Sequence, residues 1–159
     1  KPNIFCITSV PNSKSFFVGG TNLELFNVEK DGTFVKIKDE WNDIDFLVHA
    51  IGFSDKNELR GRYVDTSKQN FLSTMDVSVY SFTAVTQEAE KIMPKGGSIL
   101  TLTYYGSEKV LPHYNVMGVA KAALECSVRY LSVDLGKKNT RINRRCFINL
   151  SKYTSYNQD

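Results

Sequence analysis

Ile44–Ile51, IDFLVHAI, is a nearly continuous apolar run that stops at Gly52. A strand with one wet face alternates apolar and polar side chains, whereas a strand buried on both faces of a parallel sheet has no polar side to show. This run therefore predicts an inner strand of a parallel sheet, and Ser98–Tyr104 has the same character. Around these strands the period becomes helical. From Thr66, the residues Phe71, Leu72, Met75, Val79, Phe82, Val85 and Ala89 form one broad stripe as far as Met93, and Pro94 with Gly96-Gly97 ends it. Tyr114–Leu135 predicts a helix that is apolar on most sides, packed on the sheet and on a neighbour, with Gly136 as its cap. TRIN, residues 140–143, opens another strand.

Upstream the signals are weaker. Ile4–Val10 reads as a strand followed by a turn in VPNSKS. Gly19-Gly20 forms a turn before a strand over Leu23–Val28, and Glu29–Trp41 has helical spacing through Phe34, Ile37, Lys38 and Trp41. Alternating strands and helices with near-continuous apolar strands predict an α/β fold, a partial doubly wound parallel sheet. The 159 residues suffice for one domain with a real core. Residues 1–143 are assigned to that domain, and 144–159, which lose all periodicity, to an irregular tail.

Composition narrows the function classes. Apolar residues at 42% and charged residues at 23% are globular values. A net charge of +3 lacks the dense basic stripe of a nucleic-acid binder. Cys6, Cys126 and Cys146 are too few and too scattered for a disulfide framework or a zinc site, so no metal is expected and a reducing cytoplasm fits. No stretch reaches membrane-spanning length.

Ligands of open α/β sheets bind outside the carboxyl ends of the strands. Three stretches converge there: Ala50-Ile51-Gly52, Tyr104-Tyr105-Gly106, and the helix start carrying Tyr114. Lys121 follows Tyr114 by seven residues, close to two helical turns, so phenol and ammonium project from one face. Gly118 lies between them and would leave that face open to a ligand. A lysine beside a tyrosine stabilises phenolate and lowers the phenol's pKa, which suits proton donation or an oxyanion ligand. The same spacing also arises by chance on helices. Other residues have plainer readings. Tyr105 fits packing, His49 a satisfied core histidine, and His113 an ordinary surface residue before a helix. The cluster Lys137, Lys138, Arg141, Arg144 and Arg145 is either an attractor for an acidic partner or a solvated helix end.

The segments HAIGF, MDVSVYSFTAV, GGSILTLTYYG and PHYNVMGVAKAALE, followed by VRYL, together resemble the bacterial enoyl-acyl-carrier-protein reductases of the short-chain dehydrogenase/reductase superfamily. The resemblance runs from about Trp41 to Asn143. Most short-chain reductases place a serine before the catalytic tyrosine. Here Tyr104 stands in that region, and the Tyr-x9-Tyr-x6-Lys pattern marks the enoyl reductase branch. The resemblance implies a Rossmann-like fold and reduction of a trans-2-enoyl thioester on acyl carrier protein, in bacterial fatty-acid synthesis, with NADH or NADPH. It assigns Tyr114, Lys121 and Tyr104 as the catalytic residues. Lys121, Ile51, Gly52 and, by a looser spacing, Asn27 and Val28 would contact the cofactor, and Ser54 and Tyr104 the substrate. It also implies a cytoplasmic homo-oligomer, commonly a tetramer, with no membrane insertion and no nucleic acid.

Two features depart from that family. No glycine-rich phosphate turn precedes Leu23, since ITSVPNSKS has no glycine. After Asn143 the run RRCFINLSKYTSYNQD replaces the family's Ala-Gly-Pro type strand and loop, as in a truncated or frame-shifted copy. Two alternatives stay open: a short-chain reductase acting on a carbonyl, and a non-catalytic interaction fragment.

Overall fold

A computed structural model describes residues 43–147, with side chains through Cys146, and upstream the backbone of four strands within residues 4–36. Those strands are β1 (Ile4–Ser9), β2 (Phe16–Gly20), β3 (Leu25–Val28) and β4 (Phe34–Lys36). They pair in chain order as an antiparallel sheet. The expected strands at Ile4–Val10 and Leu23–Val28 are present in shortened form. The expected Gly19-Gly20 turn is not: both glycines lie in β2, opposite β1. The helical reading of Glu29–Trp41 also fails where the structure can be compared with it, because Phe34–Lys36 is a strand paired with β3. Thr33, Val35 and Ile37 are β-branched and alternate, and Asp31-Gly32 is a hairpin signal that sparse helical spacing obscured. The turn expected in VPNSKS lies outside the described residues.

The second sheet carries the site. It comprises β5 (Phe46–His49), β6 (Gly97–Tyr104) and β7 (Thr140–Phe147), all parallel, in that order. Between β5 and β6 run α1 (Lys68–Met75), a π-helical turn (Asp76–Tyr80) and α2 (Ser81–Lys91). Between β6 and β7 runs α3 (Asn115–Gly136). Ser67 caps α1, its hydroxyl accepting the Asn70 N–H at 3.1 Å. The extra residue of the π turn moves the buried seam to Asn70, Thr74, Ser78, Phe82 and Thr86, in steps of four. Leu72, placed on the apolar stripe by spacing, is consequently 52% exposed.

Parallel pairing sets the faces. Ile99, Thr101 and Thr103 of β6 are buried on one face, beneath α2 and α3, with Phe82, Met117, Ala120, Leu124, Val128, Leu135 and Ile142 completing the core. Leu100 and Leu102 point the other way and are only half-buried. Gly136 ends α3 but is not its left-handed residue. That role falls to Asn139 (φ 60°), whose carbonyl accepts Gly97 N–H at 3.2 Å. Strand β7 continues to Phe147, so the first residues assigned to an irregular tail complete the sheet edge instead.

Candidate active site

The three predicted stretches do meet at the carboxyl ends of β5 and β6. Tyr104 ends β6, and Tyr114 is the residue before α3; their rings lie edge to face with centroids 5.2 Å apart. His113, directly ahead of Tyr114, has φ 58°, so the chain turns sharply through a left-handed residue to enter the helix. It is exposed, as the surface reading expects. Asn115 anchors the same corner, its amide donating to the carbonyl of Glu58 at 2.8 Å. This tie fastens the loop after β5 to the start of α3.

Gly118 behaves differently from expectation. Its face is not open to a ligand: a Cβ there would stand 2.7 Å from the Gly106 carbonyl oxygen, and one on Gly106 would stand 2.4 Å from the Tyr114 ring. The two glycines let the Tyr105–Ser107 turn lie against α3. The open glycine is Gly52. It is exposed, and its missing side chain would reach to 3.6 Å from Lys121 Nζ.

Lys121 is 8% exposed and donates to the Leu102 carbonyl at 2.9 Å. Burial lowers its pKa from the ordinary lysine value. The expectation that Lys121 lowers the Tyr114 pKa is overturned. Burial, with Tyr104 adding to it, pushes the Tyr114 phenol up to about 12. The reason is geometric, since the ammonium is held on the β6 backbone and the phenol faces another phenol. At neutral pH Tyr114 is a hydrogen-bond donor.

The loop after β5 is fixed by a polar seam that spacing alone did not reveal. Ser78 accepts the Phe53 N–H at 3.0 Å and donates to the Phe53 carbonyl at 3.1 Å. Asn70 Oδ1 accepts the Asp55 N–H at 3.0 Å and the Ser54 hydroxyl at 3.3 Å, and Thr74 donates to Ser54 Oγ at 2.9 Å. The Ser54 side chain is thereby engaged inside the protein, and the residue is only 7% exposed. Ile51 is 9% exposed beneath the loop. His49 is a satisfied core histidine, with ring nitrogens 3.0 Å from Thr101 Oγ1 and 2.9 Å from Ser81 Oγ. Asn27 and Val28 lie in antiparallel β3. Their assignment to adenine contact rests on the family's position alone, and this antiparallel strand is not the parallel strand end at which such folds hold a dinucleotide. Among the described residues no group of His, Cys, Asp and Glu could hold a metal, and no helix is long and apolar enough to cross a membrane.

A parallel sheet with its crossover helices on one face, and a tyrosine–lysine helix rising from the strand ends, defines a Rossmann-like fold of the short-chain dehydrogenase/reductase class. Residues 28–146 match the family model described as enoyl-(acyl carrier protein) reductase. The chain is 67% identical over 113 residues to an NADH enoyl-[acyl-carrier-protein] reductase of Rhizobium meliloti, covering 71% of this chain and 42% of that protein. It is 54% identical over 124 residues to the Rickettsia bellii enzyme of that name, covering 77% of this chain and 47% of that protein. A crystal structure of the Anaplasma phagocytophilum reductase in complex with NAD superposes with a TM-score of 0.67 at 65% identity, over 68% of this chain and 42% of that one. This chain belongs to the enoyl-(acyl carrier protein) reductase family. It spans less than half the length of these relatives.

Proposed function

We propose that this chain carries the catalytic helix of a reductase that converts trans-2-enoyl-acyl-carrier-protein to the saturated acyl thioester with NADH or NADPH, in fatty-acid synthesis. The observation that carries the reading is the placing of Tyr104 against Tyr114 beside an exposed glycine that opens onto Lys121. The residues suit a dinucleotide's ribose and ring. Gly52 offers a face with no side chain, Lys121 a cation with donors to spare, and Ile51 an apolar floor. When bound, the cofactor supplies the hydride that reaches the β-carbon, while a proton from solvent completes the α-carbon. Tyr114, held as a neutral phenol, donates a hydrogen bond to the thioester oxygen as negative charge develops there. Lys121 holds ribose hydroxyls and keeps a positive charge near that oxygen, and Tyr104 packs against the acyl thioester. Ser54, tied to Asn70 and Thr74, holds the loop that borders the substrate.

A subunit contact belongs to the same reading. Val119, Tyr130 and Val133, 37%, 73% and 71% exposed, form an outer stripe along α3 that a second copy would cover in a homo-oligomer. A cytoplasmic setting follows from the pathway. A second, non-catalytic reading draws on one observation: β1–β4 form an antiparallel sheet, whereas a dinucleotide unit opens with a parallel strand and glycine-rich turn. NADH titration by calorimetry, followed by NADH oxidation with a crotonyl thioester, separates them. Binding and turnover, with turnover abolished in Tyr114→Phe and Lys121→Ala, is the expected result. Absence of NADH binding would refute the catalytic reading for this chain.

A further inference from the structure

Glu125 lies one helical turn beyond Lys121 and has no part in the chemistry above, yet it is 7% exposed. A carboxylate so placed must be matched by donors or it destabilises the fold. Its partners come from three elements. Oε1 accepts the Thr103 hydroxyl of β6 at 2.7 Å and the Ser107 hydroxyl of the following turn at 2.6 Å. Oε2 meets the Arg144 guanidinium of β7 at 2.7 Å. Thr103 and Ser107 bracket Tyr104, so both sides of the segment that presents this tyrosine hang on one oxygen atom. Lys121 grips the carbonyl of Leu102, next to Thr103. Residues 121 and 125 thus hold the end of β6 at two consecutive positions and set the register of α3 against it.

We propose that Glu125 is a positioning residue for the tyrosine pair, fixing Tyr104 against Tyr114, with Arg144 supplying the charge that lets the carboxylate stay buried. The inference rests on the proposed function only for its catalytic consequence. Arg144 sits on β7 near the end of the matched segment, so the counter-charge comes from the strand next to the one that Glu125 holds. Removing both charges while keeping side-chain acceptors for Thr103 and Ser107 should preserve the arrangement, and removing the acceptors should not.

The full chain carrying 3-fluorotyrosine at position 104, or at exposed Tyr130 as control, gives a fluorine resonance that reports local placement without any turnover. Ser107→Ala and Glu125→Leu should each move the Tyr104 resonance and leave the Tyr130 resonance in place. Glu125→Gln combined with Arg144→Gln should restore the wild-type position. Where wild type turns over, Ser107→Ala should lower kcat by about a hundredfold at most, the scale of a displacement of about 1 Å, with the KM for NADH unchanged. A Tyr104 resonance that stays fixed in folded Ser107→Ala, or that moves as far in the Gln/Gln pair as in Glu125→Leu, overturns the proposal. Ser107→Ala removes one hydroxyl and keeps the ion pair, so it decides the matter even where Glu125→Leu does not fold. A wild type that does not turn over refutes the proposed function, while the resonances still test Glu125.

Discussion

Acidification should destabilise this protein through His49. The ring is 2% exposed, bonded to Thr101 and Ser81, and tilted against Phe82 at 5.2 Å between centroids. Burial lowers its pKa from 6.5 to about 4, with the Lys121 ammonium adding to the effect and the backbone opposing it. The unfolded chain takes up a proton near pH 6.5, and the folded chain resists until about pH 4. The stabilisation from this group is therefore complete above pH 6.5 and is lost as the pH falls toward 4. The gap of about 2.5 pH units, at about 1.4 kcal/mol each, is worth about 3.5 kcal/mol. Against a typical total of about 5–15 kcal/mol that loss is large. Urea unfolding of wild type and His49→Asn, followed across pH 7 to 4, measures it directly. The variant starts less stable at pH 7 because it loses a hydrogen bond, but its decline should be shallower by roughly that amount. Carboxylate titrations common to both proteins cancel in the comparison. Adding Lys121→Met should narrow the histidine's window. Equal declines in wild type and His49→Asn would refute the reasoning, because the buried ring would then not be the group that takes up the proton.

Two further outcomes are expected. Gly118→Ala should cost about 1–3 kcal/mol of stability in thermal melts, the usual range for overpacking, because its Cβ would meet the Gly106 carbonyl at 2.7 Å and push the Tyr105–Ser107 turn away from α3. In alkaline titration followed by phenolate absorbance, Tyr114→Phe should remove a component titrating near pH 12; loss of a component below pH 10 would mean that the phenol is not buried as described.

The fold of the second half was legible because its signals are local and redundant. An uninterrupted apolar run such as IDFLVHAI marked a parallel strand, and Pro94 with Gly96 does end the helix before them. The run's expected burial on both faces is not met: β5 shrinks to Phe46–His49 at the edge of the described sheet, with Phe46 59% exposed. The strand ends at Gly52 and Tyr104 and the helix start at Tyr114 followed from that order. The first half misled because its segments are short and its weak period fitted either class, so pairing between β3 and β4 decided what Phe34–Lys36 became. Residue 144 was misassigned for a related reason. Strand pairing with β6 carries β7 onward despite the loss of pattern.

The sequence by itself determined the parallel sheet, the helix that bears Tyr114 and Lys121, and the family to which they belong. Tertiary structure alone decided how those groups are tuned. Spacing on a helix places a phenol and an ammonium on one face but says nothing of what else competes for them. The Leu102 carbonyl takes the ammonium, burial beside Tyr104 raises the phenol, and Gly118 admits a backbone turn where a ligand was expected. Glu125 lay in plain sight as one more charged residue on an apolar helix. Its significance came from Thr103, Ser107 and Arg144, brought to it by chain segments that only folding places side by side.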